Sequence, residues 1–244
     1  MKKLLAVLLA ALMVFAFAGC GEKAQDNVIT MATSADFEPY EYYENDKIVG
    51  IDIDIMNAVC EKIGMELQPE DMSFDSVIGA AQTGKADIAM SGITITEDRK
   101  NMVDFTIPYT STTQSIIVVK DSAIVKKADL EGKKIGVQIN TTGDTQVTDE
   151  FGDEAVDRYQ NGALAVESLK NGKIDCVVID GEVAKALVDA NEGLTIIADA
   201  YSIEEYAIAL QKGNTELLNK INGALEELLA DGTVDKIIAN YIKD

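Results

Sequence analysis

The chain alternates between short apolar stretches of strand length and helical stretches, and this alternation limits its fold more than any other feature. Val28–Thr33 and Ile174–Ile179 have the apolar pattern of strands in a sheet. Some of the helical stretches stop at glycines, as at Gly64 and Gly84. Strands and helices that alternate in this way predict an α/β protein.

One piece of this alternation occurs twice. The sequence Gly84-Lys85-Ala86-Asp87 joins a helix to a strand, and Gly172-Lys173-Ile174-Asp175 does the same later in the chain. Each could be only a generic helix–strand loop. If they are corresponding elements of two similar lobes, the carboxyl ends of both strands point to one place, where ligands of open α/β sheets bind. Those strands lead to Ser91-Gly92 and to Asp180, which predicts a site between two lobes.

A short helix is expected to begin just after the first of these strands, within residues 91–109. Thr96 is a good N-cap, and two acidic residues follow it in the first turn. Arg99 then lies one turn into the helix, next to the backbone N–H groups of residues 92–94. A guanidinium beside oriented N–H groups suits a small carboxylate, although Arg99 on its own could be only a surface residue at a helix start.

Composition excludes several classes of function. Asp and Glu number 42 against 21 Lys and Arg, so we expect neither nucleic acid nor an anionic membrane surface as a partner. The chain has no histidine, which excludes Ser–His and Cys–His catalysis and the common zinc sites, and no Gly-rich phosphate loop. We therefore expect no metal and no cofactor. Cys60 and Cys176 lie on apolar patterns and are expected to be core residues.

The segment Met1–Cys20 has the pattern of a processed signal. Two lysines precede an apolar run, Leu4–Ala18, which is short for a membrane span. The run ends in Phe17-Ala18-Gly19-Cys20, which resembles the lipobox of bacterial lipoproteins, although Phe17 stands where leucine is usual. The resemblance implies that Cys20 carries lipid, such as palmitate, and anchors the protein to a membrane outside the cytoplasm. The alternative is an ordinary secretory signal.

Four blocks of sequence carry a wider resemblance, which covers residues 29–241. They are similar, in order and spacing, to the extracellular polar-amino-acid-binding family of ABC importers, the bilobal periplasmic-type solute-binding proteins. The blocks are Phe37–Tyr42, Gly50–Gly64, Phe74–Tyr109 and Leu130–Gln138.

The resemblance implies a periplasmic-binding-protein-like type II fold, with two α/β lobes joined by a two-segment hinge. Lobe 1 would comprise residues 28–109 and 206–244, and lobe 2 residues 114–203, with the hinge segments near 109–113 and 204–206. The implied function is to capture a free amino acid between the lobes and deliver it to an ABC permease in the membrane. Nothing in the sequence requires more than a monomer.

The family's ligand contacts carry over to chemically suitable residues. Arg99 would hold the ligand α-carboxylate, assisted by Thr94 from one lobe and by Thr142, with Thr141 beside it, from the other. A buried zwitterion needs a partner for each charge, so the α-ammonium requires acceptors as well.

Those acceptors would be Ser91, the Gly92 carbonyl and the carboxylate of Asp180. Phe37 and Phe74 would sandwich the aliphatic part of the ligand. Two of these residues have simpler alternatives. Phe74 lies on an apolar helix face and could simply pack in the core, and Asp180 precedes a glycine and could simply cap a helix.

Three residues depart from patterns seen in the family and bear on the ligand side chain. Ser34 stands where some members have Asp, Gln138 where a glutamine-binding branch has Lys, and Ile179 where that branch has a polar residue. These departures predict a neutral, partly apolar pocket and an uncharged polar or small amino acid. Glu38 at the mouth keeps a cationic ligand possible.

Two other functions compete with this one. The first is an enzyme of the cyclohexadienyl-dehydratase type, which has a similar fold. Such an enzyme needs an acid–base carboxylate in the cleft, and in this sequence only Glu38 or Asp36 could take that role. A surface receptor or adhesin would expose an apolar patch away from the cleft and would keep its binding when Arg99 is removed.

Overall fold

The computed structural model describes residues 27–242, so the predicted signal segment and Cys20 lie outside the described residues. Within 27–242, no helix is long and apolar enough to cross a membrane. The described chain consists of helices and mixed sheets, which confirms the α/β class.

The elements alternate along the chain largely as the sequence predicts. The strands are β1 (Val28–Thr33), β2 (Asp36–Phe37), β3 (Glu41–Glu44), β4 (Lys47–Val49), β5 (Glu66–Asp71), β6 (Ile88–Ala89), β7 (Val103–Phe105), β8 (Thr110–Val119), β9 (Ile135–Gln138), β10 (Val156–Tyr159), β11 (Cys176–Asp180), β12 (Leu194–Ile196), β13 (Ser202–Tyr206) and β14 (Ala209–Gln211). The α-helices are α1 (Ile51–Ile63), α2 (Phe74–Thr83), α3 (Glu97–Met102), α4 (Thr142–Phe151), α5 (Gly162–Lys170), α6 (Gly181–Asp189), α7 (Thr215–Ala230) and α8 (Thr233–Tyr241).

Five strands form the first sheet, in the order β5-β1-β6-β14-β7. β1 is parallel to β5 and β6, whereas β14 is antiparallel to β6 and β7. Met31 of β1 packs in the same apolar cluster as Ile55 of α1, and its neighbour Ala32 packs with Val77 of α2. Consecutive side chains of a strand point to opposite faces, so helices cover both faces of this sheet.

The second sheet has the order β10-β9-β11-β8-β12, and β13 also pairs with β8. β9 is parallel to β10 and β11, and β8 is antiparallel to β11, β12 and β13. Helices α4, α5 and α6 pack on this sheet. We call the first sheet with α1, α2, α3, α7 and α8 lobe 1, and the second sheet with α4–α6 lobe 2.

The chain passes between the two sheets twice. It leaves the first sheet after β7 and returns to it at β14, and the strands at the two passages, β8 and β13, are antiparallel neighbours with Thr110 opposite Tyr206. The passages therefore lie side by side, as a two-segment hinge requires. Helices α7 and α8 pack on α1, which places the C-terminal end of the chain with the first sheet.

Several short strands have no clear apolar pattern in the sequence, and β5 is one of them. Pro69 lies within β5, and proline is tolerated here because β5 is the edge strand of its sheet. The pattern of residues 206–211 predicts a single strand, but β13 ends at Tyr206 in one sheet and β14 begins at Ala209 in the other. Apolar periodicity detects burial and carries no information about which sheet a strand joins.

A small antiparallel sheet, β2-β3-β4, lies next to the start of α1, and one glycine sets their contact. Gly50 has φ +132°, and a Cβ there would collide with the Tyr40 carbonyl. The close approach lets Asp52 N–H donate to the Tyr40 carbonyl at 3.0 Å. The sequence pattern predicts a helix start at Asp54, but α1 begins at Ile51, and Asp52 lies beside β3.

Candidate functional site

A cavity lies between the two lobes, at the carboxyl ends of β6 and β11. About 320 Å³ within it is not filled by protein atoms, solvent at its mouth included. Eight of the ten ligand-binding residues predicted from the sequence line it. The lining consists of Phe37, Phe74, Gly92, Thr94, Arg99, Gln114, Thr141, Thr142, Ile179, Asp180, Glu204 and Tyr206.

Arg99 is the cation of this cavity. The Thr96 hydroxyl caps α3 by accepting from the Arg99 N–H at 3.1 Å, which confirms the predicted helix start. The guanidinium is buried, with 9% of the residue exposed, and donates to the carbonyls of Thr94 at 2.9 Å and Asn140 at 3.1 Å. Its Cζ lies 5.8 Å from the centre of the Phe74 ring.

No ion pair within residues 27–242 includes Arg99. Burial lowers the pKa of its guanidinium, because desolvation disfavours the charged form. The nearby Glu204 carboxylate opposes this shift but forms no ion pair with Arg99, and a buried charge without a direct partner is costly. The site is therefore suited to receive an anion at Arg99.

Gly92 forms part of the cavity wall and packs closely against two aromatic side chains, Phe37 and Tyr206. Its φ of +54° is a left-handed conformation, and a Cβ on it would lie 2.8 Å from Phe37 Cε1 and 3.2 Å from Tyr206 Cε2. Glycine is therefore needed for both its backbone conformation and the close approach. The Gly92 N–H does not face the ligand space, because it donates to Asp52 Oδ2 at 2.9 Å.

Lobe 2 presents the start of α4 to the same cavity. The Thr141 hydroxyl caps this helix by accepting from the Asp144 N–H at 3.2 Å, and the Thr142 hydroxyl donates to Glu204 Oε2 at 2.8 Å. Helical geometry leaves the first N–H groups of α4 without intrahelical carbonyl partners. A carboxylate between Arg99 and this helix end would meet a guanidinium on one side and a positive helix end on the other.

Asp180 ends β11 and caps α6, so the simpler alternative noted from the sequence is correct for its structural role. Oδ1 accepts from the N–H groups of Glu182 at 2.8 Å and Val183 at 3.0 Å, and Oδ2 accepts from Thr112 Oγ1 at 2.6 Å and Tyr206 OH at 2.9 Å. Burial raises the pKa of this carboxyl, and the hydrogen bonds oppose the rise.

Asp180 thus accepts four hydrogen bonds and donates none, as expected of an ionised carboxylate. Asp180 is fully buried, and no ion pair within residues 27–242 includes it. Its negative charge therefore faces the cavity together with the positive charge of Arg99.

Glu204 is the main residue that sequence reasoning missed. Its carboxylate accepts from the hydroxyls of Thr94 at 2.7 Å and Thr142 at 2.8 Å, and from the side-chain amides of Gln114 at 3.0 Å and Gln146 at 3.1 Å. Thr94 belongs to lobe 1 and the other three donors to lobe 2. The expectation of a neutral pocket is wrong on this point, since a buried carboxylate lines it.

The apolar pattern of the sequence gives no signal for Glu204, because the apolar Ile203 points outward and Glu204 inward. In β13 every second residue is buried, so Glu204 and Tyr206 share the inward face, while Ile203 and Glu205 are exposed. A glutamate on the inward face of a strand requires partners or a function. Gln114 was missed for a related reason, because its place opposite Ser202 follows from the pairing of β8 with β13.

Aromatic rings enclose the rest of the cavity. Phe37 stacks on Tyr40 with ring centres 5.7 Å apart, and Tyr40 meets Tyr206 edge-on at 5.3 Å. Phe74 also lines the cavity, next to Arg99. The two phenylalanines predicted to flank a ligand are thus both in the lining.

Ser34 and Ser91 do not line the cavity. The Ser91 hydroxyl donates to Glu41 Oε1 at 2.6 Å and accepts from the Ser34 N–H at 3.0 Å. The Ser34 hydroxyl donates to Asp36 Oδ1 at 3.2 Å. Both hydroxyls are therefore engaged behind the wall that Gly92 forms, and a direct hydrogen bond from either to a ligand stays a prediction.

Comparison with known proteins agrees with this geometry. Residues 29–244 match the family model described as bacterial extracellular solute-binding proteins, family 3. The chain belongs to this family. The arginine-binding extracellular protein ArtP of Bacillus subtilis is 36% identical over 248 residues, which cover 97% of this chain and 96% of ArtP.

Two solved structures are similar to this solute-binding protein throughout. An ancestral arginine-binding protein bound to glutamine has a TM-score of 0.85 and 40% identity, covering 91% of this chain and 100% of that one. The arginine-, lysine-, histidine-binding protein ArtJ from Geobacillus stearothermophilus has a TM-score of 0.83 and 33% identity, covering 88% and 95%.

Family membership establishes the general character of the protein. It has the type II periplasmic-binding-protein fold and is an extracytoplasmic, amino-acid-binding component of an ABC transporter. It is a solute-binding protein and not an enzyme. Neither Glu38 nor Asp36, the two carboxylates weighed for acid–base catalysis, lines the cavity.

Proposed function

We propose that this solute-binding protein captures a basic amino acid, with L-arginine as the first candidate, and delivers it to the permease of its ABC transporter. The observation that carries the proposal is the buried guanidinium of Arg99, which lines the cavity without an ion-pair partner among the described residues. The α-carboxylate of an amino acid would supply that partner and form a two-point contact with the guanidinium.

The balance of charge supports a cationic ligand side chain. The lining contains one cation, Arg99, and two carboxylates, Asp180 and Glu204. A zwitterion without a charged side chain would satisfy Arg99 and Asp180 and leave Glu204 uncompensated. A ligand of net charge +1 would bring the buried charges of the closed site to zero, which lowers the cost of desolvation.

The walls of the cavity also suit such a side chain. A flat guanidinium is attracted to aromatic faces, and Phe37, Phe74 and Tyr206 provide them. The relatives described above are named as arginine-binding proteins, and one solved structure holds glutamine. An uncharged polar ligand, as the sequence alone suggested, is therefore the competing assignment.

Binding would close the lobes because the contacts come from both of them. Arg99 and Thr94 belong to lobe 1, and Thr142, Asp180 and the start of α4 to lobe 2. A ligand with charges that find partners on opposite lobes binds the closed form more tightly than the open form, and therefore shifts the population toward closure.

The test compares L-arginine with L-citrulline, a ligand of nearly the same shape, by calorimetric titration of the chain from residue 21. L-Citrulline replaces the guanidinium of L-arginine with a neutral ureido group, and L-glutamine represents the uncharged alternative. We expect arginine to bind at least about tenfold more tightly than citrulline, a difference of about 1.4 kcal/mol. Glu204→Gln should reduce this preference, whereas the exposed neighbour Glu205→Gln should keep it.

Arg99→Ala tests the carboxylate contact, with Lys100→Ala as its exposed neighbour control. Loss of arginine binding in the first variant alone supports the proposal. Equal binding of citrulline or glutamine by the unchanged protein would refute the basic ligand only. Undiminished binding in Arg99→Ala would refute the whole site.

We further propose that Cys20 carries the lipid anchor and that the protein acts as a monomer. Support for the anchor comes from the lipobox-like segment 17–20 and from the extracytoplasmic character of the family. Replacement of Cys20 by Ala should release the full-length protein from the membrane fraction. Sedimentation of the chain from residue 21 should give the mass of one copy.

A further inference from the structure

Two acidic side chains lie buried directly behind the wall of the cavity. Glu41 begins β3, and Asp52 is the second residue of α1. Both are 0% exposed, and Gly50 allows the close contact between the two elements. Neither residue lines the ligand cavity.

Each carboxyl group accepts from one of two consecutive residues, Gly92 in that wall and Ser91 just behind it. Glu41 Oε1 accepts from the Ser91 hydroxyl at 2.6 Å, and Asp52 Oδ2 accepts from the Gly92 N–H at 2.9 Å. Ser91 and Gly92 lead from β6 to Thr94 and Arg99. The two acids therefore set the position of the segment that carries the ligand contacts of lobe 1.

The second oxygen of each carboxyl group bears on the protonation state of the two acids. Glu41 Oε2, Asp52 Oδ1 and the neighbouring Tyr109 hydroxyl are all buried without a hydrogen-bond partner, and the two carboxyl groups are close enough for each to affect the pKa of the other. No ion pair within residues 27–242 includes either residue. Two ionised carboxylates at this place would repel each other, and the single Tyr109 hydroxyl could satisfy only one of their two free acceptors.

We propose that Glu41 and Asp52 are positioning residues that share one proton, with Glu41 as the carboxylic acid donating to the Asp52 carboxylate, and that this pair holds Ser91 and Gly92 in place for ligand binding. One proton between Glu41 Oε2 and Asp52 Oδ1 gives each of these oxygens a partner. The role in binding rests on the proposed function, whereas the shared proton does not.

The surroundings of the pair favour retention of the proton. The other titratable groups that face it are Tyr109, Tyr40, Asp36 and Asp180, and each is neutral or negative at neutral pH. Burial and the neighbouring carboxylate raise the pKa of Glu41 well above its ordinary value, and burial raises that of Asp52. Asp52 takes the negative charge because it also accepts from the Gly92 N–H, and the Tyr109 hydroxyl lies against it.

Carbon-13 NMR of the side-chain carboxyl groups tests the shared proton in ligand-free protein from residue 21 onward. At pH 8 we expect one carboxylic acid signal in the unchanged protein and none in Glu41→Gln. Glu44→Gln, at the exposed end of the same strand, should keep the signal. Full ionisation of every carboxyl group at pH 8 would overturn the proposal.

The positioning role is tested by two substitutions at Glu41. In Glu41→Gln the amide N–H can donate to Asp52 and the amide oxygen can accept from Ser91, so no proton is required. We expect this variant to keep L-arginine affinity within about threefold at pH 7, with the Gly92 amide resonance little changed. Glu41→Leu should move that resonance and lower the affinity at least about tenfold.

If Glu41→Gln and Glu41→Leu lower the affinity for L-arginine equally, the positioning role is wrong, because a change of side-chain shape alone would then explain the loss. If the unchanged protein binds no amino acid, the proposed function fails. In that case the carboxyl signal and the Gly92 resonance still decide the shared proton and its effect on the wall.

Discussion

Substitution of Gly92 by alanine puts the geometry of the cavity wall to a direct test. A left-handed conformation at φ +54° costs an alanine about 1–2 kcal/mol. The added Cβ would also lie 2.8 Å from Phe37 Cε1, so the ring must move, and overpacking of this kind costs about 1–3 kcal/mol. We therefore expect Gly92→Ala to lower the free energy of unfolding by about 2–5 kcal/mol.

Gly64→Ala is the matched control. Gly64 has φ +72°, and no atom lies within 4 Å of the position of an added Cβ, so this variant carries the backbone cost alone. Urea unfolding of both variants should differ by the 1–3 kcal/mol of the steric cost. Calorimetric titration should show weakened amino-acid binding in Gly92→Ala only, because Phe37 lines the cavity and Gly64 lies at the end of α1.

Equal unfolding free energies of the two variants would refute the close packing of Gly92 against Phe37. Undiminished ligand binding by Gly92→Ala would show that the wall can move without consequence for the site.

Three further predictions concern helix capping, pH dependence and thiol protection. Thr96→Ala should lower the free energy of unfolding by about 1 kcal/mol in urea and weaken amino-acid binding, because the lost cap begins the helix that carries Arg99. The folded pair Glu41–Asp52 has raised pKa values, so above the ordinary carboxyl range it retains a proton that the unfolded chain has lost. Stability should therefore fall, as pH rises toward the pKa of the pair, by up to about 1.4 kcal/mol per pH unit, and urea unfolding of Glu41→Gln should show a smaller slope. Cys60 and Cys176 are buried and free, and burial raises their pKa to about 11 and about 12, so a thiol reagent at pH 8 should modify neither in native protein from residue 21 onward and both in urea. Modification in the native state would contradict their burial.

Local patterns in the sequence were sufficient for much of the fold. The glycines that end α1 and α2 are left-handed C-caps at Gly64 and Gly84, as the stop signals indicated. The short helix after Thr96 begins where its capping residue predicts. These features are set by neighbours within one or two turns, so the chain alone determines them.

The residues of the proposed anion-binding side of the site could also be predicted from the sequence. Arg99 and Thr142 each lie at a helix start that follows a strand, and the cavity contains both. Asp180 was identified by the same reasoning, since it follows a buried strand and precedes a helix. Strand ends and helix starts gather ligand contacts in α/β proteins, and both leave a mark on the sequence.

Contacts between distant strands could not be predicted from the sequence. Glu204 reaches the cavity because β13 pairs with β8 and lies next to both lobes, and its charge changes the expected ligand from a neutral to a basic amino acid. Glu41 and Asp52 meet because Gly50 permits a close approach of two elements. Such pairs depend on register between segments far apart in sequence, which apolar periodicity does not specify.

The sequence by itself thus determined the α/β class, the helix ends and the place of Arg99 at the start of a helix beside the cavity, because each depends on local chemistry. Only the tertiary structure decided the net charge of the cavity and the support behind its wall. Both depend on side chains from separate strands and from both lobes, because the energetic effect of a buried charge depends on the partners that surround it.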